Sequence, residues 1–265
     1  MAIVTSDPKG RRILAHSQIW DAHVHIGIDR DGNAQGIDKI VSTMKECKVN
    51  RAVVFPFDTI NRANSFHIPN GYVLSAYNKN PKKIIPFFRL DPHSNWKKEA
   101  ILRSKQGFRG IKLHPRSQNF SIMDPKAIKI YSFAEQNNLP ILLHTGLGTE
   151  NVSVHAEKIM REFKNLKLIL GHAGFVDIER VVKSILRRPY MSMYLETSTL
   201  KVYDLYDILR TIPANKIIFG SDIPYADMVV GIEALIDVAL MLGYGENDIQ
   251  NMLYRNLAGC LGEIV

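Results

Sequence analysis

Histidines gather at the ends of short apolar segments in this sequence. Five of the nine histidines lie there, namely His23, His25, His114, His144 and His172. In a β-strand the side chains at i and i+2 point to the same face, so His23 and His25 can both reach one ion. Together with His144 and Asp222 they supply three imidazoles and one carboxylate, a set that suits zinc and other divalent transition metals. We therefore expect these four side chains to form a metal site.

Eight short segments rich in β-branched and aromatic residues are predicted to carry these side chains. Their starts are 24 to 33 residues apart, and amphipathic stretches such as Gly36 to Cys47 and Pro125 to Asn137 lie between them. A strand followed by a helix, repeated at this spacing, is typical of parallel βαβ units. The predicted strands are Ile19 to Ile26, Ala52 to Phe57, Ile84 to Leu90, Phe108 to Leu113, Pro140 to Thr145, Lys167 to Gly171, Met191 to Thr197 and Lys216 to Gly220.

The number of units indicates the fold class. Eight βα units in about 250 residues predict an α/β protein with a closed (β/α)₈ barrel, whose active site lies at the carboxyl ends of the strands. We expect one domain over residues 1–265, with helices from Met228 to Gly243 and from Glu246 to Gly262 completing the outer ring. A doubly wound open sheet is the alternative. It is disfavoured because neither G-x-G-x-x-G nor G-x-x-x-x-G-K-S/T follows a predicted strand.

Composition excludes several classes of protein. The chain has 46% apolar and 23% charged residues, as ordinary globular proteins do. Its net charge of +8 comes from short, scattered basic clusters, so we expect no nucleic-acid partner. Two cysteines outside any C-x-x-C pair indicate neither disulfides nor a thiolate zinc site. The N-terminus lacks an apolar run long enough for a signal peptide or membrane helix, so we expect a cytoplasmic protein without membrane contact.

Five motifs, in this order, carry a resemblance to a known family: DAHVHIG, GIKLHP, LLHTG, LGHAG and FGSDIPY. The set resembles the amidohydrolase superfamily of metal-dependent TIM-barrel enzymes. Its motifs are most similar to the branch of amidohydrolase-related hydrolases and aminocarboxymuconate-semialdehyde decarboxylase-like enzymes. The resemblance covers nearly the whole chain. It implies that His23, His25 and His144 bind a metal, that Asp222 both touches the metal and handles a proton, and that His172 is a catalytic histidine or a ligand of a second metal.

The chemistry of such a site follows from its residue types. A divalent ion with an open position lowers the pKa of bound water from 15.7 to about 7, so hydroxide is available at neutral pH. Asp222 could accept the proton of that water and return it to a leaving group, while His172 polarises the substrate carbonyl. In a decarboxylase the water would instead add to or protonate a carbon atom. The ligand set is compatible with both reactions.

Three charged side chains near the predicted strand ends have two interpretations each. Lys112 and His114 share one face of the fourth predicted strand. In relatives, a lysine at this strand can be carboxylated and bridge two metals. As an ammonium, Lys112 would instead hold a substrate carboxylate. Arg89 could clamp a carboxylate in bidentate fashion or pair with a neighbouring aspartate. Glu196 could orient a ligand imidazole or form an ion pair in the barrel core. We favour one metal, with zinc as the first expectation.

Four functions are compatible with these patterns. The leading hypothesis is a metal-dependent hydrolase acting on a small, anionic, carbonyl-containing substrate such as an amide, lactone or carboxylic acid. A decarboxylase or hydratase of an unsaturated or aromatic acid is the first alternative. A metal-dependent deoxyribonuclease is disfavoured because such enzymes resemble a pattern with a glutamate at the end of the fourth strand, and the segment Gly110 to His114 contains none. A catalytically silent metal-binding barrel is the last alternative. A homodimer is plausible, although the sequence alone identifies no interface.

Overall fold

Strands and helices alternate along the chain in the computed structural model, which describes residues 7–58 and 66–263. The strands are β1 (Trp20–Ile28), β2 (Ala34–Gln35), β3 (Arg51–Pro56), β4 (Ile84–Arg89), β5 (Gly110–Leu113), β6 (Ile141–His144), β7 (Leu168–Gly171), β8 (Met193–Glu196) and β9 (Ile217–Ile218). The eight predicted strands correspond to β1 and β3 to β9. The short β2, which was not predicted, forms an antiparallel hairpin with β1.

The helices surround the strands. They are α1 (Pro8–His16), α2 (Ile37–Glu46), α3 (His67–Lys79), α4 (Lys97–Lys105), α5 (Pro115–Gln118), α6 (Pro125–Gln136), α7 (Val152–Glu162), α8 (Ile178–Arg187), α9 (Val202–Leu209), α10 (Met228–Met241), α11 (Glu246–Gln250) and α12 (Asn256–Cys260). Asp7, Asp124 and Asp227 cap α1, α6 and α10 by accepting hydrogen bonds from their first-turn amides. None of the helices in the described part of the chain combines the length and the hydropathy that a membrane span requires.

Parallel pairing brings the strand ends together at one rim. The strand order is β2-β1-β3-β4-β5-β6-β7-β8-β9, and every pair except β1 with β2 is parallel. Three backbone hydrogen bonds close the ring between β1 and the segment that continues β9: Ala22 N to Phe219 O at 3.0 Å, Asp222 N to His23 O at 2.8 Å and His25 N to Ile223 O at 3.1 Å. The protein is therefore a closed (β/α)₈ barrel, and the doubly wound open sheet is wrong.

Alternate strand residues build two separate apolar layers. Interior residues such as Phe55, Phe87 and Leu142 pack with one another inside the barrel. Their chain neighbours, such as Val54, Phe88 and Leu143, pack outward against the helices. This alternation is the period of two that a strand imposes on its side chains. It explains why the strands are nearly continuous apolar runs, since both faces are buried.

A β-bulge in β1 directs both histidines of the first motif inward. Three steps along β1, from Asp21 to Val24, correspond to two steps along β3, from Ala52 to Val54. The extra residue shifts the alternation, so that Ala22 belongs to the interior layer while Val24 belongs to the outer one. In a regular strand Val24 would share the interior face with Ala22, and the side chains of His23 and His25 would point outward.

The C-terminal helices complete the ring and also close its lower end. Helix α10 packs against α9 and α1. Beyond it, Leu257 and neighbouring residues of α12 pack into the interior layer together with Trp20. Arg109 Nη2 and Lys167 Nζ, which precede β5 and β7, donate to the carbonyls of Leu261 and Cys260 at 2.7 and 2.9 Å. The end of the barrel opposite the histidines is thus covered by the chain itself.

Candidate metal centre

Three of the four expected metal ligands meet at the carboxyl rim of the barrel. Asp222 Oδ1 lies 3.2 Å from His23 Nε2 and 2.9 Å from His25 Nε2. One ligand atom from each of the three residues lies within 4.8 Å of the others, and all three residues are buried. Two imidazole nitrogens and one carboxylate oxygen at this spacing have the chemistry and the size of a divalent-metal site.

The backbone fixes the position of Asp222. Its φ of 65° lies in the left-handed region, which aspartate tolerates better than most residues. Its N–H donates to the His23 carbonyl, so the carboxylate is tied to the strand that carries both imidazoles. Although burial alone would raise the pKa of Asp222, the neighbouring His23 and His25 hold it well below its usual value. The carboxylate is therefore ionised at neutral pH.

Glu196 orients His23 from the opposite side of the ring. Its Oε2 lies 2.9 Å from His23 Nδ1, and it also accepts from Ser198 Oγ at 2.8 Å. The amide of Ser198 donates to the other oxygen, Oε1. Gly220 makes room for this carboxylate, because a Cβ at that position would overlap Glu196 Oε1. The arrangement is the carboxylate–histidine pair that commonly supports metal ligands, as one sequence interpretation of Glu196 proposed.

The tautomer that Glu196 imposes on His23 fits a cation between the three donors. Burial lowers the pKa of His23 well below its usual value, so the ring is neutral. With its proton on Nδ1 for Glu196, the ring turns the lone pair of Nε2 toward Asp222 Oδ1, which is also an acceptor. Two facing lone pairs repel each other unless a proton donor or a cation offsets them; Lys112 Nζ, 3.1 Å from His23 Nε2, is one such donor, and a metal ion between the three atoms would be another. The donor set of this structure therefore fits a metal ion.

His144, the fourth expected ligand, lies in the same cleft but in a separate histidine group. Its Nδ1 lies 3.0 Å from His172 Nε2, and its ring stacks on His114 with centroids 3.6 Å apart. His172 Nδ1 in turn lies 3.0 Å from Ser198 Oγ and from Thr199 Oγ1. The structure thus brings all five motif histidines to one rim, and it gathers His23 and His25 with Asp222 while His114, His144 and His172 form a chain beside them.

Lys112 reaches the metal donors from the barrel interior. Its Nζ lies 3.1 Å from His23 Nε2 and 4.7 Å above the ring of Phe55. The side chain is fully buried, and this burial lowers its pKa to about 7, against the opposite influence of Asp222. A substantial neutral fraction of Lys112 therefore exists at neutral pH, which removes much of the repulsion between this amine and a nearby cation.

Arg89 lies at the end of β4, fully buried behind the cleft. Its backbone N–H donates to Asn70 Oδ1 and its backbone carbonyl accepts from Asn70 Nδ2, at 2.9 and 3.0 Å. The guanidinium lies 4.9 Å from the ring of Phe66 and 3.9 Å from Asp58 Oδ1. Arg89 thus lines the cleft, as a clamp for a substrate carboxylate would, and it is also close to an aspartate, as the ion-pair interpretation expects.

Several contributors to the site were not singled out from the sequence. A cavity of about 200 Å³ contains the metal donors, and its lining also includes Arg30, Ser117 and Tyr225. Tyr225 donates to Asp29 Oδ2 at 2.9 Å and packs edge-on against His25. Tyr225 follows Asp222 by three residues in the FGSDIPY motif, and this short distance along the sequence could have identified it as a site residue. Nothing in the local sequence of Arg30 or Ser117 distinguishes them from surface residues.

Fold and site together define the class of this protein, a (β/α)₈ barrel with a buried cluster of two histidines and one aspartate at its carboxyl rim that fits a divalent metal. The comparisons then identify the family. The amidohydrolase family model matches residues 20–256, and the chain belongs to that family. The resemblance carried by the five motifs is therefore confirmed. A search of curated proteins found no match.

Solved structures with the same fold include enzymes of different reactions. An amidohydrolase from Burkholderia multivorans with bound zinc has a TM-score of 0.72 at 13% identity, covering 94% of this chain and 100% of its own. The 5-carboxyvanillate decarboxylase of Sphingomonas paucimobilis has a TM-score of 0.69 at 12% identity, covering 93% and 99%. A protein of Acinetobacter baumannii described as a 2-pyrone-4,6-dicarboxylic acid hydrolase has a TM-score of 0.65 at 14% identity, covering 92% and 99%. These likenesses establish the fold.

Proposed function

We propose that this protein is a metal-dependent hydrolase that attacks a small, anionic, carbonyl-containing substrate with water. The observation that carries the proposal is the convergence of His23 Nε2, His25 Nε2 and Asp222 Oδ1, with Glu196 fixing the direction of the first lone pair. The family supplies support because it includes hydrolases of this kind. We propose one zinc ion held by these three residues, with His144 as a further ligand if its ring turns away from His172.

The side chains around the donors have distinct roles in this proposal. A divalent ion bound here would lower the pKa of water and polarise a carbonyl oxygen. Asp222 is ionised and accepts a proton from water, then returns it to the leaving atom. His172 is neutral, because burial lowers its pKa, and its Nε2 faces the cleft on the side of His144. It donates a hydrogen bond to the oxygen that gains charge during attack.

Arg89 supplies positive charge for an anionic substrate, and the carboxylate of that substrate favours the ammonium form of Lys112 beside it. Both are buried at the floor of the cleft, where a carboxylate would be held away from bulk water. A charge-assisted hydrogen bond in this setting is stronger than one at the surface. We propose that they hold the acid group of the substrate so that its reactive carbonyl faces Asp222.

Metal content is the first test of the proposed function. We expect about one zinc per chain by elemental analysis of the purified protein, and loss of most of that metal in His23→Ala and His25→Ala. His16→Ala removes an exposed histidine on α1 and serves as the matched control. Metal content unchanged by both cleft substitutions would contradict the proposed centre.

Decarboxylation is the second candidate reaction, favoured by the buried cations beside the donors and by the decarboxylases that share the fold. Aromatic acids and lactones of unsaturated acids should be supplied to the zinc-loaded protein. Hydrolysis produces a ring-opened acid without gas, whereas decarboxylation releases CO₂ and a product that has lost one carboxylate. Release of CO₂ at the rate of substrate loss would replace the hydrolase proposal with the decarboxylase.

A further inference from the structure

The metal cleft continues outward into a second cavity of about 460 Å³. The two cavities are parts of one cleft, because they share six lining residues: Arg30, His114, Ser117, His144, His172 and Asp222. The outer part also contains Arg116, Leu147 and Thr199. A substrate bound at the metal donors therefore has room to extend toward the mouth, past two arginines that the proposed reaction does not use.

Arg30 is presented to the cleft by a braced hairpin between β1 and β2. Asp29 accepts hydrogen bonds from the amides of Asp31 and Asn33 at 2.9 and 2.8 Å and from Tyr225 Oη at 2.9 Å. These bonds hold the tip of the hairpin against the segment that follows Asp222. The Arg30 side chain is exposed, and it has no ion-pair partner among residues 7–58 and 66–263.

Arg116 approaches from the other side of the mouth. It lies in α5, directly after β5, three strands away from β1 in the barrel. Its aliphatic stem lies against Gly148, where φ is +78° and a Cβ would come 2.5 Å from Arg116 Cδ. Its Nη1 donates to the Leu147 carbonyl at 3.3 Å, and no carboxylate pairs with it in the described part of the chain. The guanidinium is thus placed at the mouth with donors available.

The charges of the outer cavity are unbalanced. Among its described lining residues, Asp222 is the sole carboxylate, and it belongs to the metal donors. The carboxylates of the inner cavity are otherwise engaged, since Asp29 braces the hairpin and Asp58 lies near Arg89. Asp31, which is exposed at the hairpin, lines the inner cavity but not the outer one. Two guanidinium groups thus face a cavity whose other described lining residues offer them no free anion.

We propose that Arg30 and Arg116 form a second anion subsite, so that the substrate carries a second carboxylate at the end remote from the reacting carbonyl. This inference rests on the proposed function, in which the first acid group binds near Lys112 and Arg89. Guanidinium groups bind carboxylates with two parallel hydrogen bonds, which gives them geometric selectivity as well as charge. The preferred substrate class is therefore a dicarboxylic acid long enough to span the cleft.

Binding of unreactive acids to the zinc-loaded protein tests this subsite by calorimetry. The probes are straight-chain dicarboxylates from succinate to suberate, each compared with the monocarboxylate of equal carbon number. At one chain length we expect the dicarboxylate to bind about tenfold more tightly. Arg30→Gln and Arg116→Gln should each remove most of that advantage, so that the Kd of the dicarboxylate rises much more than the Kd of the monocarboxylate. Arg180→Gln, which removes an exposed arginine on α8, is the control for general loss of charge.

The outcomes separate this inference from the function on which it rests. Failure of the protein to bind zinc and the monocarboxylates would overturn the proposed function. Normal zinc and monocarboxylate binding with equal affinities for both acid series would overturn the second subsite alone. An advantage that persists in both arginine variants would also overturn it. Thermal melting of each variant shows whether the fold is intact, and both side chains are exposed enough for substitution to leave it so.

Discussion

At the scale of single residues, Glu196 orients the imidazole of His23. Glu196 lies at Nδ1, so the opposite nitrogen of the ring carries the lone pair that faces Asp222. Sequence alone placed Glu196 on the seventh barrel strand, 173 residues away, with a core ion pair as an equal interpretation. The structure favours the orienting role, because the same carboxylate is held by Ser198 through both of its oxygens.

Substitution Glu196→Gln should weaken zinc binding about 10- to 100-fold, the usual cost of losing the outer partner of a metal-bound histidine. The amide keeps the shape of the side chain but loses the negative charge that fixes the Nδ1 tautomer. Competition with a chromogenic chelator measures the affinity. Glu162→Gln, an exposed change at the end of α7, is the control, and equal affinity in the two variants would contradict the orienting role.

Asp222→Asn should retain the fold and much of the metal while turnover falls at least about 100-fold, because the amide still offers an oxygen but cannot accept a proton. Steady-state rates and metal content are measured on the same preparation. Unchanged activity in a variant with full metal content would exclude Asp222 as the group that handles the proton.

At the scale of elements, a buried polar network joins α3 to α4 behind the cleft. Glu99 Oε1 accepts from Arg103 Nε at 2.5 Å and from Asn70 Nδ2 at 2.9 Å, while Oε2 lies 2.6 Å from His67 Nδ1. Asn70 then binds both backbone groups of Arg89. His67, the first residue of α3, belongs to this network.

The network predicts a loss of stability in acid. Burial would raise the pKa of Glu99, but Asn70, His67 and Arg103 together hold it below its usual 4.5. A carboxyl whose folded pKa is depressed stabilises the fold above its unfolded pKa, and this contribution is lost as pH falls through the folded value. We therefore expect Glu99→Gln to reduce the free energy of unfolding at pH 7 by about 1–3 kcal/mol, and to lower the melting temperature accordingly. Below pH 4 the reduction should be smaller.

Melting curves at pH 7 and below pH 4 measure this difference. The control is Glu179→Gln, which breaks an exposed pair with Lys183 at 3.8 Å and should change stability little at either pH. An equal decrease in melting temperature at both pH values in Glu99→Gln would show that the shape of the Glu99 side chain, rather than its charge, stabilises the fold.

At the scale of the whole molecule, stability and chemistry lie at opposite ends of the barrel. The carboxyl rim carries buried charge, whereas the lower end is sealed by apolar residues of α12 packed with Trp20. This division is general for barrels of this kind, since the loops after the strands vary without disturbing the packed interior. The backbone bond that ties Asp222 to His23 lies at the carboxyl rim and belongs to the site rather than to the sealed end.

Leu257→Ala should therefore destabilise the protein by about 2–5 kcal/mol, the cost of a buried leucine and its cavity, without changing zinc affinity. Leu257 is 1% exposed within the interior layer, whereas Leu186, 46% exposed on α8, gives the matched control. Melting temperature and chelator competition are measured together. A parallel loss of zinc affinity in Leu257→Ala would show that the two ends are coupled.

The sequence by itself determined the positions of the eight parallel strands and which polar residues lie at their carboxyl ends. Both depend on local properties: apolar runs of strand length recur at regular spacing, and the polar residues that follow them have nowhere else to lie once the barrel closes. The family resemblance followed from the same motifs.

The tertiary structure alone decided which donors meet. The period of two predicts the face of a side chain only within an unbroken strand, and the bulge in β1 changes it through pairing with β3. The contacts of Glu196 with His23 and of His172 with His144 join different βα units of the barrel. The position of Arg30 at the mouth likewise depends on the assembled barrel. Their geometry depends on how the whole barrel closes, which is a balance of packing among all eight strands rather than a property of any one segment.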